Sequence, residues 1–210
     1  MDETGSGTMQ RLCVMNAGSS SLKFGVYDAG GGLRQVLTGA VEGIGGKARL
    51  RVTTADGKPV HDATLEAPDH AAALDAVAAI QDGPLAPQGL VAFGHRVVHG
   101  GPDMTAPVVV DAPALARIEA LNPLAPLHNP PAVAVLRALN ERFPGVMQVA
   151  CFDTAFHRSH PAVADRFAVP DALYQEGVRR YGFHGLSYEY IAGALAEQAP
   201  EIALGRVVVA

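Results

Sequence analysis

The order of the apolar segments constrains the fold of this chain more than any other feature. Leu12–Met15 and Leu22–Tyr27 are apolar runs separated by the turn-forming Ala17–Ser20, and Gly30-Gly31-Gly32 makes a second turn before Leu33–Val41. Residues 48–53 alternate, with Ala48, Leu50 and Val52 on one face, and Asp56-Gly57 is a hairpin turn signal. A meander of antiparallel strands is expected over this opening. Strand and helix patterns then alternate. Asp69 can cap a helix whose apolar positions Ala73, Leu74, Val77 and Ile80 recur at helical spacing. Leu90–Val98 reads as a strand running into Gly100-Gly101, and Asp111 caps a helix over Leu115–Leu121 with Pro113 in its first turn. Asn129-Pro130 opens a helix carrying Val133, Leu136 and Leu139. Val146–Phe152 is a further strand, and Ser187 is the expected start of a helix over Tyr190–Leu195. Three β elements followed by βαβα predict an α/β fold with a mixed β-sheet and flanking helices.

A core of that kind needs apolar material, and hydrophobic residues make up 49% of the 210 residues against 18% charged. The formal net charge is −5 and no block of five Lys or Arg occurs. Nucleic-acid binding by phosphate neutralisation is therefore not expected, although a local basic pocket for one phosphorylated metabolite fits. No apolar stretch reaches the length of a membrane span. Met1–Gln10 is acidic and Gly/Ser-rich, without the regions of a signal peptide, and reads as a disordered leader with Met9 as an alternative start. Cys13 and Cys151 lie inside apolar runs and read as reduced, buried thiols of a cytosolic protein. The alternative for Cys151 is a catalytic thiol next to Asp153.

Four polar clusters interrupt the apolar pattern. In the first, Asn16-Ala17-Gly18-Ser19-Ser20-Ser21-Leu22-Lys23, a strand enters a tight turn and leaves it as a strand bearing Lys23. Backbone N–H groups of such a turn can cradle an anion, the hydroxyls can donate to phosphate oxygens, and Lys23 adds a compact positive charge. The alternative is an ordinary hairpin with a polar tip. The order of a Walker A loop is missing. The second cluster is Gly94-His95-Arg96-Val97-Val98-His99-Gly100-Gly101, where a guanidinium sits in a mostly apolar strand. Its fork fits a carboxylate or a phosphoryl group, or else a structural Asp partner. The third is Cys151-Phe152-Asp153-Thr154-Ala155-Phe156-His157, with a carboxylate where an apolar strand runs out. Asp153 there can hold Mg²⁺ directly or through water, or merely cap a loop. His157 and His160 read as solvent-facing or structural. The last is Arg179-Arg180-Tyr181-Gly182-Phe183-His184-Gly185-Leu186-Ser187, in which flanking glycines let His184 approach a ligand and donate to phosphoryl oxygens.

Taken with Pro126-Leu127-His128-Asn129-Pro130-Pro131, these segments resemble the motifs of acetate kinases, in the family's order and over nearly the whole chain. The resemblance implies a ribonuclease H-like, actin-like ATPase lobe and the reaction of ATP with acetate to give ADP and acetyl phosphate, with Mg²⁺, in a cytoplasmic homodimer. It also implies roles. Asn16 corresponds to a magnesium-site residue, and Lys23, with Ser19 and Ser21, to the ATP site. Arg96 corresponds to the acetate-binding arginine, and Val98, Leu127 and Phe183 to the pocket for the acetate methyl. His128 corresponds to a further active-site histidine, Asp153 to the catalytic aspartate and His184 to a transition-state stabiliser. Leu186 and Tyr188 depart from the family, where Thr and His are common. Residues 11–204 are expected to form the N-terminal lobe, and 205–210 the first strand of a C-terminal nucleotide-binding lobe that is missing from the chain. A Gly-rich phosphate loop, a second arginine and a Mg²⁺-binding Glu would belong to that lobe, and the 210 residues alone are expected to be inactive. Propionate or butyrate kinase and a nucleotide-binding regulatory module of the same fold are the competing readings.

Overall fold

The computed structural model describes residues 10–80, 83–86 and 88–209, so all but Gln10 of the expected leader lies outside the described residues. The chain forms two compact units. One runs to Val97 and resumes over Val108–Ala150; the other comprises Val98–Pro107 and the residues from Cys151 onward.

The strands of the first unit are β1 (Arg11–Gly18), β2 (Ser21–Asp28), β3 (Arg34–Glu42), β4 (Gly46–Thr54), β5 (Pro59–Ala67), β6 (Leu90–Val97) and β7 (Val108–Val109), and β8 (Met147–Phe152) begins in it. Their order in the sheet is β5-β4-β3-β2-β1-β6-β8-β7. The first five pair antiparallel in sequence, β6 pairs parallel to β1, and β7 is antiparallel to β8. This is the mixed sheet the alternation predicts. Ala48, Leu50 and Val52 are buried together, as their two-residue period requires.

Helix α1 (His70–Ala78) begins where Asp69 accepts a hydrogen bond from the Ala72 N–H at 2.8 Å. Asp111 does the same for α2 (Ala112–Ala120) through Ala114 N–H at 2.7 Å. Leu74 and Val77 of α1, with Val135 and Leu139 of α3 (Asn129–Arg142), pack into one core with Cys13, Met15, Leu22 and Phe93 of the strands. Arg142 ties α3 to α1 through Asp75, with Nε 2.6 Å from Oδ1.

His95 is an exception in this core. It is 3% exposed on the face of β6 that buries Phe93 and Val97, and burial pushes its pKa down to about 4, with Gln148 opposing that shift. Nε2 of His95 and Oε1 of Gln148 nonetheless lack hydrogen-bond partners at normal geometry. The imidazole is therefore held neutral, and the unfolded chain takes up a proton first as pH falls. Stability is full above the ordinary value of 6.5 and declines towards the folded value of about 4. That shift corresponds to roughly 3 kcal/mol. Urea unfolding between pH 7 and 5 should show roughly half of this loss, and His95→Gln should flatten it, leaving the share of buried His99, whose pKa burial also lowers.

The second unit holds α4 (Ala162–Asp165), α5 (Asp171–Gln175), α6 (Gly185–Gln198) and α7 (Pro200–Ala203). Its buried side chains include Met104 and Phe152 but also His99, Asp153, Thr154 and Asp165. Asp165 is a hub. It accepts from Arg158 Nη1 at 2.7 Å and from the Tyr174 hydroxyl at 2.8 Å, with Arg179 3.9 Å away. Burial alone would raise its pKa, but these hydrogen bonds and charges outweigh it and hold the carboxyl below its ordinary range. The guanidinium groups of Arg166 and Arg179 lie 3.9 and 4.8 Å from the Tyr174 ring centre. None of α4, α5, α7 or this hub is anticipated by the periodicity. Helix α6 starts before the Ser187 expected to open it, and His184 is the residue preceding its first turn. Arg206–Val209 carry no regular secondary structure, and Ala210 lies outside the described residues.

Candidate active site

In the first unit the Asn16–Lys23 segment is a two-residue hairpin with Ser19-Ser20 at its tip, tighter than the expected Ala17–Ser20 turn. Asn16 and Lys23 are direct cross-strand partners, and Asn16 also pairs with Arg96 on the other side in the parallel ladder. Arg96 Nη1 donates to Asn16 Oδ1 at 3.2 Å. Three expected site residues thus sit abreast on β2, β1 and β6. The order follows from the topology, because β1 is the strand that both others flank.

No residue from 16 to 23 has a left-handed backbone. The hairpin therefore lacks the alternating conformation of an anion-binding nest. The groups this segment could offer an anion are Lys23 and the hydroxyls of exposed Ser19 and half-buried Ser21. Asn16 and Lys23 line a shallow groove of about 410 Å³ that also includes Val14, Gly25, Thr38 and Arg51, giving it a basic, partly apolar floor. Leu127 and His128 precede α3 in the same unit; both are exposed, Leu127 at 69%.

In the second unit Asp153 follows the last residue of β8 and is 1% exposed. Beside it Thr154 Oγ1 accepts from the Gly100 N–H at 2.9 Å, which fixes the Gly-Gly segment that follows His99. The His99 ring packs edge-on to Tyr181 at 4.4 Å and to Phe183 at 5.7 Å, while its Nδ1 accepts from the Gly101 N–H. Val98 is half-buried. Phe183 and His184 are exposed at the start of α6.

Asp153 and His184 are linked through the backbone. The Gly185 N–H donates to the Asp153 carbonyl at 2.9 Å, and a Cβ at 185 would lie 2.2 Å from that oxygen. Only glycine allows so close an approach. His184 itself has φ 58°, the sole non-glycine left-handed residue among those described. That conformation costs roughly 1–2 kcal/mol for a residue with a Cβ. Strain of this kind concentrates at functional positions.

Both cysteines are free thiols. Burial pushes Cys13 up to about 12. Burial and the charge of Glu189 raise Cys151 as well, which disfavours the thiolate that a catalytic role requires. His157, expected to be solvent-facing or structural, is the latter: its Nε2 lies 2.9 Å from the Phe183 carbonyl.

The Acetokinase family model matches residues 11–204. This chain belongs to the acetokinase family. Acetate kinases of Nitrobacter hamburgensis and Rhizobium meliloti are 50% and 52% identical to it over 208 residues, 96% of the chain. The crystal structure of Porphyromonas gingivalis acetate kinase matches 90% of this acetokinase chain with a TM-score of 0.77 and 34% identity. That of a propionate kinase from Francisella tularensis matches 90% with a TM-score of 0.80 and 32% identity. The chain spans about half the length of the curated relatives it matches, 51% and 52% of those two.

Proposed function

We propose that the chain contributes to an acetate kinase, catalysing reversible phosphoryl transfer from ATP to acetate to give acetyl phosphate and ADP. The observation that carries this reading is the 50–52% identity to acetate kinases over 96% of the chain. Acetate is ionised at neutral pH, so no base is needed to make it a nucleophile. The task is positioning and charge neutralisation.

Arg96, braced by Asn16, would clamp the acetate carboxylate with its guanidinium fork. The family resemblance assigns Val98, Leu127 and Phe183 each to the acetate methyl, and His128 to a further substrate contact. Lys23, Ser19 and Ser21 would meet ATP phosphates, and His184 would donate to the phosphoryl oxygens as charge develops.

Among the described residues no three His, Cys, Asp or Glu form a metal cluster. Mg²⁺ in kinase sites is bound through one or two protein oxygens together with phosphates and water. The buried Asp153 carboxylate and the Asn16 amide oxygen are hard donors of that kind. Mg²⁺ held by either residue would neutralise phosphate charge. Asp153 is assigned to organising the metal and its waters rather than to proton transfer.

The test is acetyl phosphate formation from ATP and acetate. It should be absent for the 210-residue chain alone and present once the chain is joined to the half of the Rhizobium meliloti enzyme that it does not match. No turnover from the joined protein would refute the reading. Asp153→Asn in that protein should shift the Mg²⁺ titration to higher concentration, and an unchanged titration would remove Asp153 from the metal. Propionate should be a poorer substrate than acetate by the ~1–3 kcal/mol that one methylene is worth, and butyrate, with two more methylenes than acetate, poorer still. Cytoplasmic location and a homodimer are further parts of the proposal, supported by the family resemblance. No described helix is long and apolar enough to cross a membrane.

A further inference from the structure

We propose that His157 is a positioning residue whose imidazole holds His184 in its left-handed backbone and so sets the direction in which the His184 ring leaves the chain. The inference rests on the reading of His184 as the group that donates to the phosphoryl oxygens.

A left-handed histidine does not arise from local preference, so contacts on both sides must fix it. On the C-terminal side the Gly185 N–H is held by the Asp153 carbonyl at 2.9 Å. On the N-terminal side the Phe183 carbonyl is held by His157 Nε2, also at 2.9 Å. The acceptor there is a carbonyl, so Nε2 carries the hydrogen. One peptide group before His184 and one after it are thereby anchored.

The His157 ring is itself fixed. It lies against the backbone of Gly182, where an added Cβ would sit 2.3 Å from its Cγ. It meets Phe156 edge-on at 5.3 Å and Tyr188 at 5.5 Å. Tyr188 belongs to α6, the helix that His184 precedes. Both anchors come from one short segment, since Asp153 and His157 are four residues apart. Any shift of that segment therefore moves the two sides of His184 together.

The measurement is NMR of the isotopically labelled 210-residue chain, reading the His184 HN–Hα coupling and Cα shift. Wild type should show the left-handed signature. His157→Ala should lose it, while His157→Gln, whose amide can still donate to the Phe183 carbonyl, should recover it. A wild-type His184 without the signature, a His157→Ala chain that keeps it, or a folded His157→Gln chain that fails to recover it would each overturn the proposal. Should His157→Ala not fold, the double variant His157→Ala/His184→Gly decides. Glycine adopts this backbone unaided, so a folded double variant supports the brace and an unfolded one refutes it. None of these readouts involves phosphoryl transfer. A chain inactive in every context but showing this response would lose the kinase reading and keep the brace; the reverse pattern would lose the brace alone.

Discussion

Arg96→Ala should lower acetyl phosphate formation by ~10²–10³-fold, the loss seen when a single charge-stabilising donor is removed from a reaction centre. The assay is turnover by the chain completed with the unmatched half of a relative, at saturating ATP. The guanidinium sits on β6 with Asn16 accepting from Nη1, so its position is set before any ligand arrives. Arg96→Lys should not rescue it, because an ammonium cannot form the two parallel bonds of a guanidinium fork. Near-normal turnover of Arg96→Ala would end the assignment of Arg96 as the carboxylate clamp. Asn16→Ala separates two roles for its own residue. Release of Arg96 raises the KM for acetate, whereas loss of a metal contact raises the Mg²⁺ requirement.

Gly185→Ala should destabilise the chain by about 3 kcal/mol, at the upper end of what overpacking costs. The new methyl would lie 2.2 Å from the Asp153 carbonyl and 2.7 Å from Phe156 Cβ, and neither neighbour is the end of a flexible side chain. Relief requires breaking the Gly185–Asp153 hydrogen bond, and with it the start of α6. The urea midpoint of the chain measures this. Gly193→Ala is the control, in the same helix but with nothing within 4 Å of the added carbon. It should stabilise by roughly 0.5–1 kcal/mol through a better helix former. Equal effects of the two substitutions would show that the close approach at 185 does not exist in solution.

Much of the first unit is legible in the sequence because its determinants are local. The β1–β2 hairpin and the caps at Asp69 and Asp111 are each set by residues within a few positions of one another. The start of α6 is not. Ser187 is the better N-cap by residue type, yet the helix is capped three residues earlier, at His184, because the Asp153 carbonyl, distant in sequence, takes the Gly185 N–H. His184 gives no local sign of its left-handed backbone for the same reason. The Asp165 hub escapes as well, since its partners Arg158, Tyr174 and Arg179 follow no period that a sequence pattern could reveal. At the candidate site the residue types are readable, but the abreast placement of Lys23, Asn16 and Arg96 depends on β6 joining β1 in parallel.

The chain passes between its two compact units at Val97–Val98, Pro107–Val108 and Ala150–Cys151. Neither unit can then be excised as one continuous stretch. Truncation after Val97 discards α3, β7 and β8, stripping β6 of its neighbour and the core of Val135 and Leu139. A stop after Ala150 removes Thr154, the acceptor for the Gly100 N–H. A ribosome must therefore deliver the chain past Ala150 before the long-range pairings of both units can be completed. Limited proteolysis at the exposed crossing, Pro107–Val108, should leave two fragments that remain associated until denaturant is added.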